Sequence, residues 1–400
     1  MDPAINPFSP GAGLQPPELC GRDELLQDAD VRFRRLQRAK PTRGMILLGL
    51  RGVGKTVLLN RFQAMAEAYD IKTVRLEAPE QGQLPELLVP ELRRILYELD
   101  LTAAVGGGIR KAFAALANFA AAFKVKVGEI EFEVDSRTGV ADTGNLEQDV
   151  PALLRLVAEV ARERKTAVCF FLDEMQYLSK AELGALLVSA HALGQAGLPF
   201  LLFGAGLPVV AALAGHAKSY AERLFDYPEI AQLDRPSAEL AIAHPAQQEG
   251  VDFSAEALQE IIEQTECYPY FLQVWASFAW DDAAQNPIGL PDVLRSSQRV
   301  VPYLDKNFFR VRFDRLTHLQ QKYLRAMAEL GRGPYKTGDI ALQLGCEPNE
   351  LSVTRQQLIT SGMIWSQRHG ETAFTVPMFD GFMRRTIPIL TPHIPKRKAR

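Results

Sequence analysis

The sequence predicts an α/β protein. A P-loop parallel sheet comes first, an α-helical segment follows, and a winged helix-turn-helix ends the chain. Three observations carry this prediction. The stretch Gly49-Leu50-Arg51-Gly52-Val53-Gly54-Lys55-Thr56 fits G-x-x-x-x-G-K-[ST], the loop whose backbone N–H groups wrap phosphates. Short, wholly apolar runs alternate with helical patterns from 45 to 233, as buried parallel strands and their crossover helices do. From 236 to 305 only helical periods occur, and then three helices lead into an alternating hairpin.

The totals allow this. A chain of 400 residues suggests two or three domains. An apolar share of 47% and a charged share of 23% are ordinary for a soluble globular protein. The four cysteines, Cys20, Cys169, Cys267 and Cys346, lie far apart with no C-x-x-C pair. That argues against a zinc ribbon or a disulfide framework and suits a reducing cytoplasm. No basic segment followed by an apolar one opens the chain, so no signal peptide is expected. The apolar runs at 167–172 and 198–205 are too short to cross a bilayer, so no membrane contact is expected. The six histidines show no metal spacing.

The net charge of −3 is unevenly placed. Residues 306–400 hold 16 Lys and Arg against 7 Asp and Glu, a net of +9, which leaves −12 on residues 1–305. Such asymmetry points to a polyanion at the C-terminal part. A solvated basic face with a disordered tail is the alternative.

Taken in order, residues 1–17 contain five prolines and no apolar period, and read as a flexible arm. A turn at Gly21 leads into a helix with Leu25, Leu26, Ala29 and Phe33 inward. Met45 to Leu48 is a buried strand, and the helix after the P-loop repeats Val57, Leu58, Phe62 and Met65. That helix would face the phosphates with its unsatisfied N–H groups and positive dipole end. A strand over 71–76 and a helix over 84–99 follow. The segment 101–147 interrupts the alternation with a helix over 109–123 and a hairpin turning at Gly128-Glu129. That register puts one apolar face against one of opposite charges. A lone hairpin is marginal in water, so it packs on its own domain or on a partner. Helices at 146–164 and 180–196 frame the apolar strand over 167–172, and another strand spans 198–204. Helices are expected at 236–249, 254–266, 269–285, 290–305, 317–330, 336–344 and 349–361. Strands at 362–367 and 371–376 close around Arg368-His369-Gly370. Trp275 and Trp280 lie on one helix and read as core.

The chemistry centres on two strand ends. Lys55 would reach the terminal phosphates of a nucleotide, and the Thr56 hydroxyl its Mg²⁺. Asp173-Glu174 ends the second apolar strand, at the carboxyl edge where open α/β sheets bind ligands. There an acid such as Asp173 holds Mg²⁺, often through water, and the next Glu activates the attacking water.

These motifs, with the helical segment and the winged helix, resemble the AAA+ ATPases. The resemblance is to the origin-recognition and archaeal replication-initiator group and to the related signalling ATPases called STAND. It covers about 18–385. Leu19-Cys20-Gly21-Arg22-Asp23-Glu24-Leu25 is similar to the G-R-x-x-E-L box beside the adenine. Glu266-Cys267-Tyr268-Pro269-Tyr270-Phe271-Leu272-Gln273 is similar to the G-x-P-x-x-L-Q segment of the helical lid, with Cys267 in place of Gly. The resemblance implies an arm at 1–17, an AAA+ domain at 18–235, a lid at 236–305, a winged helix at 306–385 and a basic tail at 386–400. It implies ATP and Mg²⁺ as cofactors. Gly49 to Thr56, Gly21, Arg22 and Pro269 would bind nucleotide, Thr56 and Asp173 the metal, and Glu174 would be the catalytic base beside Lys55. An arginine finger, acting across a subunit boundary, is best matched by Arg223. The strand ending Gly204-Ala205-Gly206 lacks the polar residue that the family uses to sense the γ-phosphate. No lid arginine of the second sensor type stands out either. Slow hydrolysis is therefore expected, with ATP as a switch.

In the winged helix, Asn349, Ser352, Thr354, Arg355 and Gln356 could reach DNA from the third helix, and Arg368 and His369 from the wing. Arg384, Arg385 and the tail would add salt-dependent attraction. The expectation is a self-assembling ATPase switch on double-stranded DNA, with a protein partner conceivable through 101–147. A STAND-like scaffold whose winged helix meets protein is the alternative.

Overall fold

The computed structural model describes residues 1–11, 13–14, 16–80, 83–100, 107–125, 139–331, 333–366 and 370–390. The chain divides into two compact units. One comprises Arg22–Gly49 and Lys55–Ile230. The other comprises Met1–Gly21, Leu50–Gly54 and Ala231–Arg400.

The first unit runs α1 (Asp23–Gln37), β1 (Gly44–Gly49), α2 (Lys55–Ala68), β2 (Lys72–Glu77), α3 (Leu84–Asp100), α4 (Gly107–Ala122), α5 (Leu146–Glu163) and β3 (Val168–Asp173). It continues with α6 (Lys180–Gln195), β4 (Phe200–Gly206), α7 (Val209–Ala217), α8 (Ala221–Leu224), β5 (Phe225–Asp226) and β6 (Glu229–Ile230). The sheet order is β2-β3-β4-β1-β5, with β6 also on β1, and every pairing is parallel. Leu172 pairs with Gly204 and Leu48 with Gly206, so the carboxyl ends of β3, β4 and β1 lie side by side.

Burial explains the composition of the strands. β1, β3 and β4 are buried at every residue, because helices cover both faces. β2 is an edge strand and keeps Lys72, Arg75 and Glu77 in partial contact with water. Side chains alternate across the sheet. Phe171 stacks on Phe203 at 5.5 Å, and Phe33 of α1 and Phe62 of α2 lie 5.2 and 5.4 Å from Phe203. Phe170 and Phe200 join the opposite core, supplied by α3, α4, α5 and α6. Each such ring contributes roughly 2–3 kcal/mol by leaving water. The helix α4, from the interrupting segment, buries Ile109, Ala112, Leu116 and Phe119 in this same core. The hairpin turning at Gly128-Glu129 lies outside the described residues.

The second unit contains α9 (Arg235–Gln248), α10 (Ala255–Thr265), α11 (Pro269–Asp282) and α12 (Leu290–Leu304). A π turn at Asp305–Phe309 carries the chain into α13 (Arg310–Phe313). Then come α14 (His318–Glu329), β7 (Tyr335–Lys336), α15 (Thr337–Leu344), α16 (Ser352–Thr360), β8 (Ile364–Trp365), β9 (Glu371–Phe374) and α17 (Phe379–Thr386). The three short strands form an antiparallel sheet in the order β7-β9-β8. Trp275 and Trp280 are fully buried, as core residues should be.

The arm expected to be flexible is fastened to this unit. Asn6 donates to the Ser277 carbonyl (3.1 Å) and to Asp281 (2.9 Å), and Phe8 packs edge-on to Phe253 and Trp280. The Trp280 indole N–H donates to the Asp2 carbonyl (3.0 Å). Proline richness limits regular structure here but leaves side chains able to dock. Phe309 and Phe313 meet Phe379 and Phe382 at 5.4 to 5.6 Å, which ties the π-turn segment to α17. No described helix is long and apolar enough to cross a membrane.

Candidate functional site

β1 ends at Gly49, and Lys55 and Thr56 open α2, so the phosphate-loop motif spans a strand-to-helix turn. Gly52 and Gly54 have φ of 83° and 96°. Glycine is needed there because a Cβ disfavours that backbone conformation. At Gly54 a Cβ would meet nothing within 4 Å, so conformation alone sets the residue. At Gly52 it would also fall 2.9 Å from Tyr268 Cε1. The Lys55 side chain is largely buried at the helix start.

At the end of β3, Asp173 is only 3% exposed. Its Oδ1 accepts from the Glu174 N–H (2.9 Å), and its Oδ2 accepts from the Arg75 guanidinium of β2 (3.2 Å). Glu174 takes a left-handed backbone, φ 53° and ψ 37°, which ends the strand abruptly and turns its carboxylate out of the sheet. A non-glycine residue there costs about 1 kcal/mol or more and persists where its surroundings hold it. The Glu174 N–H on Asp173 and the Tyr177 N–H on the Glu174 carbonyl (3.0 Å) hold that backbone, and Gln176 holds the carboxylate. Gln176 Nε2 donates to Glu174 Oε2, and its Oε1 accepts from the Leu207 N–H just beyond β4 (3.1 Å). A hard carboxylate at Asp173 and a hydroxyl at Thr56 suit Mg²⁺, which takes few protein ligands alongside phosphate and water. Each Asp173 oxygen keeps a further lone pair for such a role. Among the described residues no group of three or more His, Cys, Asp or Glu could hold a metal by itself.

The bare end of β4 has a steric cause. A Cβ on Gly204 would collide with Met175 Sδ, and one on Gly206 would lie 2.6 Å from Val210 Cγ2 and 3.0 Å from Gln176 Oε1. The residues after Glu174 occupy the room that strand side chains would need. Arg223 is exposed on α8 and lines a cavity of about 570 Å³ with Asp28, Arg32, Arg43, His191 and Asp226. Gly44, Phe200 and Phe225, which begin β1, β4 and β5, line it too. Arg223 thus sits at the amino edge of the sheet, and the structure does not bring it to the strand ends that carry Lys55 and Glu174 in the same chain.

Residues 18–203 match the model of the AAA ATPase domain family. This part of the chain has the P-loop AAA+ fold. Residues 306–383 match a second model, a domain of unknown function, DUF8462. Among solved structures, the Walker-type ATPase PABY2304 of Pyrococcus abyssi is similar at a TM-score of 0.59 and 15% identity, over 92% of this chain and 97% of that one. That likeness shows a shared fold. Cdc6p from Pyrobaculum aerophilum gives a TM-score of 0.48 at 16% identity, over 97% and 98% of the two chains. The RuvB Holliday junction branch migration motor of Thermotoga maritima gives 0.46 at 15%, over 95% and 100%. No curated protein matches the sequence.

Gly21 and Arg22 form the turn that leads into α1. Gly21 has φ 67°, and a Cβ there would lie 2.7 Å from Ser237 Oγ. Beyond the domain, Pro269 is the first residue of α11, where its fixed φ and missing N–H suit a helix start. Glu266 and Cys267 before it both have positive φ, 49° and 59°, which explains why Gly fits this place so well.

Tyr268 was assigned no role from sequence, yet it touches the phosphate-loop segment. Its hydroxyl donates to the Arg51 carbonyl, with the Thr375 carbonyl after β9 within reach at 3.4 Å as a second acceptor for the same proton. Burial pushes that hydroxyl above its ordinary pKa, so it stays a neutral donor. The Arg51 guanidinium donates to the Ser361 carbonyl after α16 (3.1 Å). Burial and the charge of Arg51 pull the half-buried Arg312 guanidinium below its usual value, 4.0 Å over the Phe308 ring.

The residues expected to reach DNA separate into two groups. Asn349, Ser352 and Gln356 are exposed, whereas Thr354 is buried. Arg355 donates to Ser366 Oγ (2.9 Å) and to the Glu371 carbonyl (3.3 Å), so it braces the helix against the hairpin. Arg384 is paired with Asp380 and donates to the Ala328 carbonyl, and Arg385 holds Asp305 through two bonds of 2.7 and 2.8 Å. Arg368, His369 and the 396–400 tail lie outside the described residues.

Proposed function

We propose that this protein is an ATP-controlled switch. Its AAA ATPase domain binds ATP with Mg²⁺, hydrolyses it slowly, and thereby governs self-assembly and the availability of a C-terminal winged helix for double-stranded DNA. Gly49 to Thr56 hold the phosphates, with Gly21, Arg22 and Pro269 around the base. Thr56 and Asp173 support Mg²⁺, Glu174 activates water, and Arg223 completes the site of a neighbouring copy.

One observation carries the reading. Arg51, inside the phosphate loop, bonds Ser361 after α16 and accepts from Tyr268, whose hydroxyl also lies 3.4 Å from the Thr375 carbonyl after β9. A ligand that reorders the loop must disturb contacts to the C-terminal module. Differential contact with two states is what lets a ligand shift a population.

A second reading is favoured by the outer face of α16. Ser352, Val353, Gln356, Gln357 and Thr360 face outward and none is charged. Val353 is 66% exposed and Leu342 of α15 is 80% exposed. Such a face suits a protein partner better than a phosphate backbone, which is met by Lys and Arg.

The test uses purified Glu174→Gln protein, which should hold ATP without cleaving it. Duplex DNA binding and particle size are measured with ATP and with ADP, at low and moderate salt. DNA binding and a larger assembly that both require ATP support the switch on DNA. Assembly without DNA binding at low salt moves the C-terminal module to a protein partner.

A further inference from the structure

We propose that Gln176 is a positioning residue for Glu174, supplying from the loop after β3 the polar group that the end of β4 lacks. The inference rests on the reading of the domain as an ATPase.

The amide orientation is fixed by its two partners. The Leu207 N–H can only donate, so the oxygen of Gln176 must face it (3.1 Å). The NH₂ group then faces the Glu174 carboxylate, which when ionised can only accept. Gln176 therefore joins the carboxylate at the end of β3 to the backbone leaving β4. A glutamate side chain on a turn has several rotamers. Holding Oε2 fixes where Oε1 points, and Oε1 is the oxygen left to take a proton from water.

The same geometry accounts for Gly206. A Cβ there would lie 3.0 Å from Gln176 Oε1, so a side chain on the strand and the Gln176 amide compete for one place. The left-handed backbone of Glu174 adds a reason for such an anchor. The backbone there is held by Asp173 and Tyr177, and the carboxylate by Gln176.

The test is a double-mutant cycle on the full chain, reading kcat and KM for ATP together with binding of a fluorescent ATP analogue. Gln176→Ala should lower kcat roughly 10- to 100-fold, the scale on which misplaced catalytic groups fail, with analogue binding held within about threefold. In a Glu174→Ala background it should cost no more than about twofold, because Gln176 acts through Glu174. Gln176→Glu still accepts from Leu207 but cannot donate, so it should lose kcat like the alanine variant. Full activity in Gln176→Glu overturns the proposal. So does an equal loss from Gln176→Ala in both backgrounds, which would mark a purely structural bond while leaving the ATPase reading intact. A wild-type chain that neither binds the analogue nor turns over ATP overturns both.

Discussion

The end of β3 and the helix α16 both carry polar residues that a sequence motif marks as functional, yet the fold treats them oppositely. At β3 the polar groups are gathered and aimed. Asp173 keeps its carboxylate at the strand end, and Glu174 adopts a strained backbone that turns its side chain out. On α16 the most informative side chain is spent on architecture. Arg355 reaches back to Ser366 and the Glu371 carbonyl, and the face left to solvent has no charge. The difference teaches that a functional residue type is recognised by what its other bonds leave it free to do. A carboxylate fixed through one oxygen remains available through the other. A guanidinium bonded twice into its own hairpin has fewer donors left for a partner.

The largest expected effect sharpens the first half of this contrast. Lys55→Ala should weaken ATP binding by roughly 100-fold or more, since removing one member of a buried charged contact costs several kcal/mol. Titration with a fluorescent ATP analogue measures it, and unchanged affinity would remove the phosphate loop from the nucleotide site. Arg355→Ala tests the second half. It should lower stability by about 1–2 kcal/mol through the lost bonds to the hairpin, read as a shift in urea midpoint. The salt slope of any DNA binding should stay unchanged. A slope smaller by about 0.9 would mean that Arg355 meets a phosphate instead. The smallest effect concerns strain rather than charge. Cys267→Gly should stabilise the chain by about 0.5 kcal/mol, because glycine relieves the positive φ while giving part of the gain back to the unfolded chain. Thermal unfolding measures it, and a destabilised variant would show that the Cys267 side chain packs usefully.

Much of this was legible in the sequence, and the exceptions share a cause. The strands β1, β3 and β4 stood out because fully buried parallel strands are apolar at every position. The phosphate loop was legible because its glycines answer a local demand on φ that no distant contact alters. The helix α17 was missed. It is eight residues long with Gly381 inside it, and its stability comes from Phe309 and Phe313 on a distant segment. The docking of the arm was missed because Asn6 and Phe8 act singly, with no period to betray them. Gln176 stands two residues from a recognised motif, but its meaning depends on Leu207, which only the pairing of β3 with β4 brings near. Arg355 could not be judged either way until the hairpin was folded against it.

The crowding at the end of β4 has a consequence for how such a site can change. A single substitution that restores a side chain at Gly204 would meet the sulfur of Met175, and one at Gly206 would meet Val210 and the Gln176 amide. Either change requires the side chains of Met175, Val210 or Gln176 to move. A side chain at Gly206 is therefore coupled to the Gln176 amide, and a library that varies both positions together would give a different outcome from one that varies them singly.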